Sequence, residues 1–415
     1  MRAGVQRTES VSGGLRAVLL SIGVAGVLGY VIQLSVPALT DDVTYVTFSV
    51  FWSALYLGGS AMAGVQQEIS RAARGGGEAR AGSTLASYTS ILAGVVVLIV
   101  VALVWAFGGA LFGTESGELG TMLGLGLVGY LLTAVLTGLL YGIRLWKAVA
   151  FIVILDAVLR AVLVVAGLLF GATLPTLAVF IAAPFVVAFA TTLIVFRTHI
   201  VGRFALDVRL PRLLAHTGGT VVAAASSGLL ISGMPMLIGA LAPGMSTAAT
   251  AALILAITVT RAPIVVPIIA LQSFLISTVL RDREHIARSR LLAMVGVALL
   301  AIGVLSGVGW LVGPGIIDLV SLGKYTISNA MAAVIVASAG LVALLSLTGP
   351  ALISARRHLA NAVGWVVAAS STVLLLALDV GEASIASALL LPAVGGLVCH
   401  LFALLTAPAR RNPAA

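Results

Sequence analysis

The sequence predicts an all-α, polytopic membrane protein with about twelve transmembrane helices in two parallel six-helix halves around a central cavity. Three observations predict it. The 415-residue chain is 60% hydrophobic and only 9% charged, where soluble domains carry roughly 25% charged residues. Apolar stretches of about 20 residues, enough to cross roughly 30 Å of hydrocarbon, recur along its whole length. Lys and Arg alternate between the loops in step with those stretches, as topology signals do.

The predicted spans run in order as follows. The first, 16–38, follows the polar "MRAGVQRTESVSGGL". It is long enough to span and has no A-x-A site, so it reads as an uncleaved first helix. Span 43–65 carries "FWSALYLGG", with Trp52 and Tyr56 four residues apart. Span 88–112 contains "GVVVLIVVALVWAF", which does not alternate in polarity and so is a helix and not a barrel strand. Span 121–142 opens on "GLGLVG", small residues suited to close helix packing in lipid. Spans 149–170 and 177–196 complete the first half. The second half comprises 218–241, 247–280, 291–311, 326–350, 361–379 and 384–406. Span 247–280 exceeds the bilayer and must tilt, bend or protrude; Pro263 and Pro267 within it predict a weak point.

Placing the N-terminus in the cytoplasm puts 20 of the 23 basic residues in inner loops, leaves Lys324 outside, and leaves Arg160 and Arg261 within spans. The outer loops hold Asp41, Asp42, Glu115, Glu118, Asp318, Asp379 and Glu382. Both termini are therefore expected in the cytoplasm, in a plasma-membrane protein. Corresponding spans begin about 202–212 residues apart. Six spans per half is an even number, so the repeat is parallel. The halves are residues 1–200 and 218–415, joined by a cytoplasmic linker, 201–217. In that linker "FALDVRLPRLL" (204–214) reads as a short amphipathic surface helix.

Several function classes are excluded. Cys399 stands alone, so there is no disulfide framework or redox motif. The five histidines have no metal-ligand spacing, and no P-loop is present. No cofactor is expected, and no enzyme. The longest inner loops, 66–87 and 197–217, leave no room for a nucleic-acid-binding module, and "RDREHIARSR" (281–290) reads as a solvated basic loop.

The candidate site residues are the charges that lipid should not tolerate. Arg261, in "ITVTRAPIVVP" (257–267), lies about 14 residues, or roughly 20 Å, from the outer end of its span, too deep to snorkel easily outward. Insertion costs about 2.5–3.5 kcal/mol for such a residue. Either it faces a hydrated central cavity, or a carboxylate or backbone carbonyls hold it and fix one helix against another. In "FIVILDAVLRAVLVVAG" (151–167), Asp156 and Arg160 sit four apart on one face in the favourable order. They are either a self-neutralised pair or an anion ligand with a carboxylate that orients substrate or takes up a proton. Trp52 and Tyr56 either pack the core or stack on a sugar or an apolar ligand. Gln33 and Tyr30 in the first span, and Gln66, Gln67 and Glu68 at the end of the second, are weaker candidates for cavity lining.

The segments "FSVFWSALYLGGSAMAGVQQEISRAAR" (48–74) and "LILAITVTRAPIVVPIIALQSFLISTVL" (253–280), with the two-halves pattern and the basic N-terminus, resemble the polysaccharide transporter branch of the multidrug/oligosaccharidyl-lipid/polysaccharide exporter superfamily. The resemblance implies a flippase that moves a polyprenyl-diphosphate-linked oligosaccharide, a polysaccharide precursor, from the inner to the outer leaflet by alternating access. It also implies that Arg261 and Arg160 bind the diphosphate. Implied partners are this lipid-linked anionic sugar, membrane lipids, and the polymerase and glycosyltransferases of the same pathway. The chain has two spans fewer than the related lipid II flippases. A drug or metabolite antiporter of the same superfamily, or a non-transporting scaffold for envelope polymer synthesis, are the alternative readings. The loop "SRAARGGGEARAG" (70–82) speaks against a major-facilitator carrier.

Overall fold

The structure is a computed structural model that describes residues 11–78, 80–241, 244–278, 288–355, 357–378 and 382–406. Its helices in chain order are α1 (Val11–Leu39), α2 (Asp42–Ala72), α3 (Ala81–Phe112), α4 (Ser116–Gly142), α5 (Trp146–Leu169), α6 (Leu174–Val195), α7 (Arg197–Ile200), α8 (Leu210–Ile231), α9 (Met234–Leu241), α10 (Thr247–Thr278), α11 (Arg288–Val320), α12 (Asn329–Ser354), α13 (His358–Ala377) and α14 (Glu382–Leu405). Each of the twelve predicted spans has a helix. Among the described residues there are eleven stretches long and apolar enough to cross a membrane, and one of them, Ala81–Gly142, contains both α3 and α4. This is a multi-pass membrane protein. Large apolar side chains such as Leu98, Trp105 and Phe170 face outward, as lipid contact allows and water would not.

The chain divides into two compact units. Unit 1 is Met1–Thr40 with Gly58–Val221; unit 2 is Asp41–Leu57 with Val222–Ala415. Thus α2 contributes its first half to unit 2 and its second half to unit 1, and α8 passes from unit 1 into unit 2. In unit 1, α1 packs along α5, α4 along α3 and α6, and α5 along α6. In unit 2, α12 packs against α10, α11 and α14, while α13 packs against α14 and α9. Asp41 caps α2: its carboxylate accepts from the Val43 and Thr44 amides, both at 3.0 Å, and from the Thr44 hydroxyl. The Thr44 bonds hold its carboxyl below the ordinary range, because each favours the charged form.

Two expectations are corrected. The linker does not form a helix over 204–214. Phe204–Leu206 is instead a strand, β2, paired antiparallel with β1 (Ala73–Gly75), with Arg74 opposite Ala205. Sequence patterning saw the amphipathic run but not that the loop after α2 supplies an unpaired backbone edge; the strand pairing satisfies both. Arg74 adds an ion pair to Asp207, and the Leu206 amide donates to Glu78. Helix starts only at Leu210. The second correction concerns span 218–241, which is not one helix but α8 and α9, broken at Ser232–Gly233. Of the segment 281–290 expected as a basic loop, residues 281–287 lie outside the described residues, while Arg288, Ser289 and Arg290 already belong to α11. The α10 helix itself continues unbroken through Pro263 and Pro267.

Candidate functional site

The break between α8 and α9 falls in the sequence "SGMP" (Ser232–Pro235). Pro235 is tolerated in the first turn of α9, where its missing N–H would have no partner anyway. Gly233 is required by close approach: a Cβ there would lie 2.7 Å from the Leu229 carbonyl oxygen. A helix broken within a span leaves backbone groups that lipid cannot satisfy. Ser53, on the half of α2 that belongs to unit 2, satisfies two of them. Its hydroxyl donates to the Ser232 carbonyl at 2.5 Å and accepts from the Met236 amide at 3.1 Å. One side chain thus ties the end of α8 to the start of α9. Ser53→Ala is expected to lower unfolding stability by about 1–3 kcal/mol, the cost of two stranded backbone groups, while Ser53→Thr retains most of it. Thermal unfolding in detergent checks this; equal melting of Ser53→Ala and wild type would mean the break is held by something else.

Arg261, from α10, holds the same break from another direction. Its Nη1 donates to the Leu230 carbonyl and its Nη2 to the Ser338 hydroxyl on α12, the latter at 3.2 Å. Leu230 lies in the last turn of α8, whose carbonyls carry the negative end of the helix dipole, a favourable place for a cation. The side chain is 5% exposed. Its Nε has no acceptor, and among the described residues no carboxylate pairs with it. Of the two arrangements the sequence allowed, the structure has the one in which backbone carbonyl holds the arginine, and not a guanidinium open to water. Arg261 is therefore a buried charge held by a dipole and one hydroxyl, without a counter-charge among the described residues.

Unit 1 holds the other pair. Arg160 makes an ion pair with Asp156 one turn earlier on α5. Arg160 is 2% exposed and its guanidinium carbon lies 4.0 Å from the centre of the Phe185 ring, a cation–π contact. Phe185 is fixed in turn: the Tyr130 ring lies tilted against it with ring centres 4.6 Å apart, and Thr133 donates to its carbonyl at 3.0 Å. The spacing that predicts the pair is thus met. Gln33 is half-buried on α1 of the same unit. Tyr30 and Gln66 are half-buried, Gln67 is exposed, and Glu68 is buried near the end of α2 with Arg71 and His216 as its partners.

Trp52 and Tyr56 belong to unit 2. They continue a ladder begun by Phe48, with ring centres 5.8 Å and 4.7 Å apart. Trp52 is buried and Tyr56 half-buried, so the ladder is packing first, with Tyr56 at its more open end. Sequence reasoning missed Ser53, Ser338 and the Leu230 carbonyl. A serine in an apolar helix carries no distinctive signal, but "SGMP" inside a span did mark the break.

No protein-family model matches the chain. The Mycobacterium tuberculosis protein Rv3630, described as uncharacterized, is 32% identical over 97% of this chain and 94% of its own length. Among solved structures, the lipid II flippase MurJ in an inward closed conformation superposes with TM-score 0.65 over 94% of this chain and 88% of that one, at 13% identity. An inward-facing multidrug resistance MATE family transporter of the MOP superfamily gives TM-score 0.60 over 92% and 93%, also at 13% identity. The fold is therefore the one shared by these MOP superfamily transporters.

Proposed function

We propose, for a chain that belongs to one family with the mycobacterial protein Rv3630, that it is a membrane carrier, not an enzyme, and that its cargo is an anionic, lipid-linked sugar. The reading places it in the plasma membrane, moving the polyprenyl-diphosphate head group from the cytoplasmic to the outer leaflet by alternating access while the tail stays in lipid. The fold does not choose the cargo, because a flippase and a multidrug transporter share it to nearly the same degree.

The observation that carries the choice is the balance of buried charge. Asp156 is neutralised by Arg160, whereas Arg261 keeps its charge with only a carbonyl and a hydroxyl as described partners. A carrier for cationic drugs would keep a carboxylate ready for its cargo. A carrier for a diphosphate keeps a cation, and in a site of low dielectric one fixed charge is worth far more than in water. An anion arriving at Arg261 would displace the Leu230 carbonyl, a weaker partner, and so act directly on the break between α8 and α9. Broken helices of this kind serve as cargo-binding elements in other carriers. Arg160 would add to the site only in a state where its pair with Asp156 opens.

The test is reconstitution of the purified chain in vesicles that hold a fluorescent polyprenyl-diphosphate oligosaccharide, with a membrane-impermeant quencher reporting the exposed leaflet. Protein-dependent exposure of the label, competed by unlabelled lipid-linked sugar and not by lipophilic cations, is expected. Export of lipophilic cations with no movement of the labelled lipid would instead establish the antiporter reading.

A further inference from the structure

Beyond the cargo site, unit 2 buries a histidine that the reading above does not use. His400 on α14 is 0% exposed. Three helices meet on it. Its Nε2 faces the Asn361 carbonyl of α13 at 3.1 Å, and its Nδ1 faces the Thr348 hydroxyl of α12 at 2.7 Å. The Trp365 ring of α13 stands edge-on at 6.5 Å. A glycine admits the ring: a Cβ at Gly364 would collide with His400 Cδ2 and Nε2.

The hydrogen bonds define what this imidazole can do. A carbonyl only accepts, so Nε2 carries a hydrogen in every state. Nδ1 faces a hydroxyl that can give or receive. Thr348 also has a second acceptor, the Leu345 carbonyl at 2.8 Å. With a neutral ring, the Thr348 hydroxyl donates to Nδ1. With a proton on Nδ1, that N–H donates to Thr348 Oγ1 and the hydroxyl hydrogen turns to Leu345. Either state leaves each ring nitrogen with a partner, and the change between them needs one hydroxyl rotation.

We infer that His400 is a proton-binding site buried within the membrane-spanning bundle of unit 2, with Thr348 and Leu345 as the relay that accommodates the proton. His400 lies five residues before the end of α14, roughly 7.5 Å along the axis. From the elements packed on α14, the described charged side chain that reaches it is Arg357, the residue before α13, which donates to the Ala403 carbonyl at 2.8 Å and to Thr406. No described carboxylate bonds to the ring to favour protonation. The proton therefore comes on at acidic pH. Asp156, the carboxylate that the sequence offers for coupling, is held by Arg160, so His400 gives the carrier a separate group for an ion gradient to act on.

Trp365 supplies the probe, because a protonated imidazole quenches a neighbouring indole. The experiment follows tryptophan emission of the purified chain in nanodiscs from pH 8 to pH 5, takes the Trp365 component as wild type minus Trp365→Phe, and uses no cargo, so its result stands whatever the cargo test gives. An acidic step in the Trp365 component, lost in His400→Gln, is expected. Thr348→Val, which removes the acceptor of the Nδ1 hydrogen, is expected to move the step to lower pH. A Trp365 component that is flat in wild type overturns the proposal, as does a step that survives in His400→Gln. If His400→Gln does not fold, a Thr348→Val step at the wild-type pH overturns it too.

Discussion

Arg261→Ala is expected to slow movement of a polyprenyl-diphosphate-linked sugar by about 10- to 100-fold, the loss of roughly 1.5–3 kcal/mol that a hydrogen bond to a charged group supplies. The protein should still accumulate in the membrane. Two sets of partners compete for this guanidinium. In the structure Arg261 is spent on the Leu230 carbonyl and Ser338, contacts that hold α8 where it breaks. Neither carries a full negative charge. A diphosphate does, so the arginine has more to gain from cargo than from its present partners.

The stability side of the same substitution separates this reading from a purely structural one. A buried charge without a counter-charge is costly, and apolar replacement of such groups is often neutral or stabilising. Removing Arg261 strands the Leu230 carbonyl, which costs about 1–3 kcal/mol, but it also relieves the burial of a cation. Arg261→Met should therefore melt close to wild type and yet fail to move cargo. Arg261→Lys keeps the charge but not the planar fork and should keep part of the activity. Full activity of Arg261→Met, measured in the same vesicles, would show that the arginine only braces the broken helix and that the cargo reading is wrong.

The largest stability effect is expected in unit 1. Arg160→Ala should destabilise by about 3–5 kcal/mol, because it leaves the Asp156 carboxylate without its partner inside a span. Asp156→Asn should cost less, since Arg160 keeps its contact with the Phe185 ring. The double substitution Arg160→Met with Asp156→Leu should recover most of the loss, because the cost belongs to the orphaned charge and not to missing volume. A double-mutant cycle on thermal unfolding measures this coupling. If the two single substitutions simply add, each within about 1 kcal/mol of wild type, the pair is not the clamp between α5 and α6 that its burial indicates.

The positions of the spans were legible because each needs only local information. A bilayer demands about 20 apolar residues, and "GVVVLIVVALVWAF" can satisfy that demand in one way. The Asp156–Arg160 pair was legible for the same reason: four residues on one helix bring two side chains together whatever else the chain does. The partners of Arg261 were not. Leu230 and Ser338 lie 31 and 77 residues away, and a backbone carbonyl leaves no mark on the sequence at all.

Pairing across distance also decided the linker. The run "FALDVRLPRLL" has a helical pattern, but β1 pairs with it from 131 residues earlier, Arg74 opposite Ala205, and its open backbone edge made a strand the better-satisfied form. The role of His400 was hidden in the same way, since a histidine in an apolar run says nothing of Thr348, Asn361 and Trp365 until three helices converge on it. The sequence by itself determined that this is a helical membrane protein of about twelve spans with two arginines inside them, because hydrophobic length and helical spacing act locally. The tertiary structure alone decided what Arg261 and that histidine touch, because in a bundle each buried polar group is satisfied by whichever helix packs against it.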